Sequence, residues 1–155
     1  MLALYLFGLA VLFTLVHYAW KRGSFAETFL AYLLFFNVGL MGLLAGYAHI
    51  FMGPEIAEQI GWAPGSPFQF EMGIANISYG VLGVLSFWRR GKFWEATVIG
   101  YSILLLGAMV GHIIEWTKGD SAPLNIGPAI WLWDFVLPLL LLGLLFYWRK
   151  GKLKG

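Results

Sequence analysis

The sequence contains no cysteine among its 155 residues. Disulfide bonds, thiolate zinc sites, iron–sulfur clusters and dithiol redox chemistry are therefore excluded. Charged residues are also scarce, at 12% of the chain, whereas hydrophobic residues make up 60%. A soluble domain has roughly 25% charged and 45 to 50% apolar residues. The composition therefore excludes a water-soluble globule and predicts a membrane protein.

Sequence signatures of nucleotide use and of hydrolysis are missing as well. The chain has neither a phosphate-binding glycine loop nor a nucleophile elbow, so it cannot use ATP by itself. We expect no nucleic-acid partner. The residues leave open whether the protein is an enzyme, a transporter or an accessory subunit.

Five stretches have the length of about 20 apolar residues that a membrane-spanning helix needs. They are residues 2–20, 25–52, 67–88, 93–116 and 128–148. They predict an all-α integral membrane protein with one domain, residues 1–155, in contact with the lipid bilayer. Residues 1–23 are an extra N-terminal helix, and residues 24–91 and 92–151 are two hairpins that together form a four-helix bundle.

The basic residues indicate how these spans are oriented. Nine of the ten lysines and arginines fall at one end of the spans, and only Lys118 falls at the other. Lysine and arginine are enriched on the cytoplasmic side of membranes. We therefore expect a multi-pass protein of the cell membrane, with its N-terminus outside and its C-terminus in the cytoplasm.

The two hairpins resemble each other in sequence. The segment WKRGSFAE at residues 20–27 recurs 68 positions later as WRRGKFWE at residues 88–95. Each copy continues through a Gly-xxx-Gly step, Gly42 to Gly46 and Gly107 to Gly111, which is typical of close helix packing in lipid. The recurrence predicts an internal repeat with a two-fold axis along the membrane normal.

A histidine and an acid follow each glycine step at the same spacing. Glu71 comes 22 residues after His49, and Asp134 comes 22 residues after His112. Glu115 lies three residues after His112, so the two share a helix face. Because ionisable groups are costly inside a bilayer, these five residues are predicted to form one outward-facing polar cluster.

Three interpretations of this cluster follow from its chemistry. Two imidazoles with two or three carboxylates suit a divalent transition metal such as zinc, iron or manganese. The same groups suit a hydrogen-bonded network that serves as structural glue or as a proton relay to the outer face. A haem held by His49 and His112 is the third interpretation.

Residues around the cluster are candidates for contacting a bound cofactor. The connector 53–66 predicts a short amphipathic cover, with Trp62 at the lip of the site. Gln69 belongs to a predicted capping box that opens with Ser66. Asn125 caps the last span or reaches into the site. Pro138 removes the hydrogen bond to the Asp134 carbonyl and predicts a kink.

Several of these motifs resemble a known family. The run GWAPGSPFQFE at residues 61–71 precedes a glycine-rich helix and is followed by Gly111-His112, Asn125, Asp134 and Pro138. Over residues 47–140 the chain resembles an uncharacterised family of small polytopic bacterial and archaeal membrane proteins, and more loosely the DoxX-like group. The DoxX-like resemblance implies a four-helix subunit with an accessory role in quinone-linked redox chemistry.

The expected function is therefore a small membrane protein whose His and carboxylate site binds a divalent metal for transport, delivery or redox. A quinone-linked accessory subunit and a purely structural subunit are the alternatives. Other membrane subunits, or further copies of the same chain, are the expected protein partners.

Overall fold

The computed structural model describes residues 2–152, and this part of the chain is helical without strands. The first five helices are α1 Leu2–Lys21, α2 Phe25–Phe51, α3 Gly53–Ile60, α4 Phe68–Ser86 and α5 Lys92–Thr117. The last helix, α6, consists of Pro123–Ile126, Pro128–Ile130, Trp131–Val136 and Leu137–Lys152.

Within residues 2–152, four helices are long and apolar enough to cross a membrane. They are Leu2–Lys21, Phe25–Phe51, Lys92–Thr117 and Pro123–Gly151. These helices confirm the membrane protein that the composition predicts. The remaining predicted span corresponds to α4, whose 19 residues include Gln69, Glu71 and Asn76 and are less apolar. The count of five spans therefore stays a prediction, as does the repeat.

Helix α2 lies at the centre of the bundle, with α1, α4 and α6 packed against it. Leu30, Leu33, Leu34 and Val38 of α2 are fully buried. α5 packs against α6 and α4 and contributes the buried Trp94 to the same core. The bundle has two ends: the histidine end, with His49 and His112, and the basic end, where α1 and α4 finish.

The contact between α2 and α4 is made by glycines on both helices. A Cβ atom on Gly42 would lie 2.9 Å from the Asn76 carbonyl oxygen and from the Cα of Gly80. One on Gly46 would lie 2.8 Å from the Gly73 carbonyl oxygen. Because no side chain fits there, the two backbones touch, as the first glycine step predicts.

The second glycine step behaves differently. A Cβ atom on Gly107 or Gly111 would meet nothing within 4 Å. The expectation that both steps mark close helix contacts therefore does not hold within this chain. The two hairpins pack by different surfaces, because only the first hairpin has glycines on both of its helices at the contact.

Two segments have the wider turn of a π-helix, Leu34–Leu40 in α2 and Trp131–Val136 in α6. The second segment ends just before Pro138, and the Leu137 N–H there donates to the Leu132 carbonyl five residues back. Proline has no N–H to donate to the Asp134 carbonyl. The irregularity predicted from Pro138 is thus present, and it takes the form of a widened turn.

The two predicted capping boxes have different outcomes. The Ser24 hydroxyl accepts the Glu27 N–H at 3.3 Å, as predicted for the start of α2. At α4, Ser66 accepts the Phe68 N–H instead, at 3.2 Å. The Gln69 side chain does not cap this helix, because it bonds to His49.

Ion pairs join the helices at the basic end. Arg90 pairs with Glu27 at 2.5 Å, and Arg149 pairs with Glu95 at 3.5 Å. Both pairs join residues that are far apart in the chain, so they fix how the helices meet. Lys154, which the sequence places at this end, lies outside the described residues.

Replacing Gly42 by Ala should destabilise the protein, because the new methyl group would overlap the α4 backbone. Overpacking of this kind costs about 1 to 3 kcal/mol. Gly107→Ala is the matched control, since its methyl group enters open space. Unfolding of both variants in detergent, followed by circular dichroism, measures the difference. Equal stability of the two variants would contradict the backbone contact.

Candidate functional site

The site begins with a histidine and an acid on two neighbouring helices. His112 lies on α5 and Asp134 on α6, within the widened turn. The His112 Nε2 is 3.4 Å from the Asp134 Oδ2, and the two side chains are 12% and 10% exposed. The structure therefore brings together two of the five residues predicted for the cluster, away from water.

Asn125 fixes the protonation of the other nitrogen of the His112 ring. Its Oδ1 lies 2.8 Å from His112 Nδ1, and its Nδ2 donates to the Asp120 carbonyl at 2.9 Å. Because this second bond identifies the nitrogen of the amide, the oxygen must face the imidazole and accept. His112 therefore donates from Nδ1, and Asn125 is fully buried in this role.

One further proton follows from this geometry. With Nδ1 carrying a hydrogen, a neutral His112 presents the lone pair of Nε2 to the Asp134 carboxyl group. A lone pair facing an ionised carboxylate would be repulsive. Where no ion lies between the two groups, the pair holds one proton besides that on Nδ1, either as imidazolium with carboxylate or as imidazole with carboxylic acid.

Polar side chains continue from this pair towards the middle of the bundle. Tyr101 of α5 is 1% exposed, and its hydroxyl has the Trp133 indole as hydrogen-bond partner. The Tyr101 ring also lies 5.4 Å from the ring of Tyr79 on α4. These contacts link the widened turn of α6, which carries Trp133, to α5 through Tyr101 and to α4 through Tyr79.

His49 makes the same kind of bond in the first hairpin. Its Nδ1 lies 2.6 Å from the Gln69 Oε1, and Gln69 is 5% exposed. Its predicted acidic partner, Glu71, is exposed. Within the described part of the chain no hydrogen bond or ion pair joins Glu71 to His49. His49 and His112 thus each meet an amide oxygen near the start of a later helix.

The remaining candidates lie apart from the buried pair. Glu115 accepts from Lys118 at 2.7 Å, with 34% of its side chain exposed. Trp62 packs edge-on against Phe68, with ring centroids 5.1 Å apart. Among residues 2–152, no three His, Asp or Glu side chains form a group that could hold a metal ion. The five predicted ligands are therefore not assembled into one cluster.

The predicted amphipathic cover is helix α3. Its buried residues Ala57 and Ile60 face the bundle, and the helix contacts both the first hairpin and Pro123–Ile126 of the second. It ends at Gly61, which has a φ of 95° and lies against the Asp120 carboxylate. This arrangement places α3 across the histidine end, next to the segment that carries Asn125.

The sequence predicts Gln69 and Asn125 as contacts of a bound cofactor, and in the structure they bond to His49 and His112. Gln69 lies near the start of α4 and Asn125 near the start of α6, the second long helix of each hairpin. An amide at that position supplies an acceptor for an imidazole N–H without burying a charge. Their shared place in the two hairpins is the signal that could have identified them as the hydrogen-bond partners of the two histidines.

Comparison with known proteins identifies the family. No curated protein and no solved structure matches the chain. A family model matches residues 1–154 and is described as a family of unknown function, DUF6790. This match fits the resemblance to an uncharacterised family and gives no support to the DoxX-like one. The chain belongs to the DUF6790 family.

Proposed function

We propose that this protein binds and releases a proton at the His112 and Asp134 pair, on the outer side of a membrane. The supporting observation is the hydrogen bond from His112 Nδ1 to Asn125, which leaves Nε2 facing a carboxyl group. Two titratable groups that share a proton in a low-dielectric site form a proton relay when one of them has a route to water.

The exposed part of the pair supplies that route, since 12% of the His112 side chain and 10% of the Asp134 side chain are accessible. Asp120 holds the amide that orients His112. It is partly exposed, its carboxylate accepts the Ala122 N–H at 2.9 Å, and its carbonyl accepts from Asn125. The turn of Asp120 therefore fixes the buried amide of Asn125 so that its oxygen faces His112. The charged groups near the pair include Asp120, which interacts electrostatically with His112. The end of α5 adds the ion pair between Glu115 and Lys118.

We infer that the chain crosses the membrane five times, with the histidine end outside the cell. α4 contacts α2 near both of its ends, through His49 and Gln69 at one and through Phe35 and Phe87 at the other. A helix that packs along a membrane-spanning helix from one end to the other also spans the membrane. Basic residues then fall on the cytoplasmic side.

The absence of cysteine makes this topology simple to test. Cysteines replacing Glu58, Arg89 and Lys150 occupy exposed positions at the two ends of the bundle. An impermeant thiol reagent added to intact cells should label Glu58→Cys, and should label the other two only after permeabilisation. Equal labelling of Glu58→Cys and Arg89→Cys in intact cells would show that α4 does not cross.

The proton site predicts a carboxyl group that changes protonation with pH in purified protein. An infrared difference spectrum between neutral and acidic pH should contain the band of a buried carboxylic acid. Asp134→Asn should remove this band. Glu71→Gln is the matched control, because Glu71 is an exposed acid at the same end, and it should leave the band unchanged.

A band that survives in Asp134→Asn, or that is missing from the unmodified protein, would overturn the proton site. Melting temperatures measured on the same variants show whether each one is folded. Asp134→Asn keeps the shape of the side chain, so a loss of the band with an unchanged fold assigns the band to Asp134.

A divalent metal is the second candidate occupant, and one observation favours it. Histidines that bind metals usually donate their other ring N–H to a fixed acceptor, as His112 does to Asn125. Nε2 of His112 and the Asp134 carboxylate would then be two ligands for zinc, iron or manganese. Water or a substrate would complete the coordination.

Elemental analysis of protein purified without chelator tests this candidate. Metal binding predicts about one ion per chain, lost in His112→Ala, because an imidazole lone pair has no apolar replacement. His17→Ala is the control, since His17 lies at the other end and bonds to Tyr32. A chain without metal, or full metal retention in His112→Ala, would remove the metal from the site.

A further inference from the structure

A cavity of about 210 Å³ lies at the basic end of the bundle, between α1, α2 and the segment that joins α4 to α5. It is separate from the site of His112 and Asp134. Its walls combine polar side chains with aromatic and small ones. The lining includes His17, Glu27, Thr28, Tyr32, Phe87 and Arg90.

The charged groups of the cavity are one carboxylate and one guanidinium. Glu27 and Arg90 are paired at 2.5 Å, and their side chains are 20% and 45% exposed. A guanidinium has five N–H donors, so Arg90 keeps donors for a second anion while it is paired. The cavity therefore places an anion-binding group directly beside a cation-binding group.

Aromatic rings add a second cation-binding element. The rings of Tyr32 and Phe87 lie 5.4 Å apart, and both line the cavity. The face of an aromatic ring attracts an ammonium group. Tyr32 also bonds to His17 at 3.2 Å, so its ring is fixed in place.

The position of the cavity identifies the source of such a ligand. Trp20 and Trp88 finish α1 and α4 at this end, and both are strongly exposed, at 86% and 68%. Tryptophan next to basic residues is typical of the level of lipid headgroups. A ligand at this level arrives with its acyl chains in the bilayer.

We propose that this cavity binds the zwitterionic headgroup of an aminophospholipid such as phosphatidylethanolamine. The phosphate pairs with Arg90, and the primary ammonium lies between Glu27 and the rings of Tyr32 and Phe87. Choline carries no N–H to donate to Glu27, and glycerol headgroups carry no ammonium. The site therefore selects ethanolamine over both.

Lipid titrations of the purified full-length chain in detergent, followed by native mass spectrometry, test the selection. Phosphatidylethanolamine, phosphatidylcholine and phosphatidylglycerol with identical acyl chains are compared. One ethanolamine lipid should bind per chain, about tenfold or more tightly than the others, the effect of one charge-assisted hydrogen bond. Equal binding of the three lipids would overturn the proposal.

Paired variants locate the binding. Arg90→Gln and Glu27→Gln should each weaken ethanolamine lipid binding by about tenfold. Arg89→Gln and Glu95→Gln are the matched controls, because these charged neighbours lie outside the cavity lining. Thr28→Leu, which fills the cavity without changing its charge, should also weaken binding. If Arg89→Gln and Glu95→Gln weaken binding as much as Arg90→Gln and Glu27→Gln do, the lipid does not bind in this cavity.

Free phosphoethanolamine separates the lipid from a soluble ligand of the same chemistry. Calorimetric titration with this compound alone should give much weaker binding than the lipid, because the acyl chains contribute contacts in the bilayer. If the free compound binds as tightly as the lipid, the cavity serves a soluble zwitterion and the lipid assignment is wrong. Circular dichroism melting confirms that each variant is folded.

Discussion

The backbone contact between α2 and α4 is the constraint on which the rest of the bundle depends. Lipid is as apolar as leucine, so helices in a membrane gain little from hydrophobic burial and associate through close packing. Gly42 and Gly46 allow α4 to approach, and this approach places Gln69 beside His49. It also places Tyr79 against Tyr101 on α5, so the first hairpin positions the second.

Sequence reasoning succeeded where local chemistry decides the structure. Helix starts and ends follow from capping residues and from the length of the apolar stretches, as for Ser24 before α2. Burial cost placed His112 and Asp134 in one predicted cluster of five residues, and the structure brings these two members of the cluster together. The irregular turn before Pro138 followed from the missing N–H of proline.

The same reasoning failed where the rotation of a helix decides which side chain faces its neighbour. Gln69 and Glu71 are two residues apart, which is about 200° around a helix. When Gln69 faces His49, Glu71 must face outward, and it is exposed. A search for acids selects Glu71 by its charge, whereas the packing of α4 on α2 selects Gln69 by its direction. Gly107 likewise has the right motif but no facing helix.

Polar bonds between helices set the register of this bundle. Trp94 on α5 donates to the Ser86 carbonyl on α4 at 2.6 Å, and His49 bonds to Gln69. The Trp94 bond has the same strength whatever protons the surroundings supply, because neither an indole N–H nor a backbone carbonyl titrates. If His112 and Asp134 share a proton as proposed, the bond between them differs, because its attraction depends on that proton. A change in that proton therefore alters the contact between α5 and α6, so the proposed proton site is also the point at which the bundle can respond to its occupancy.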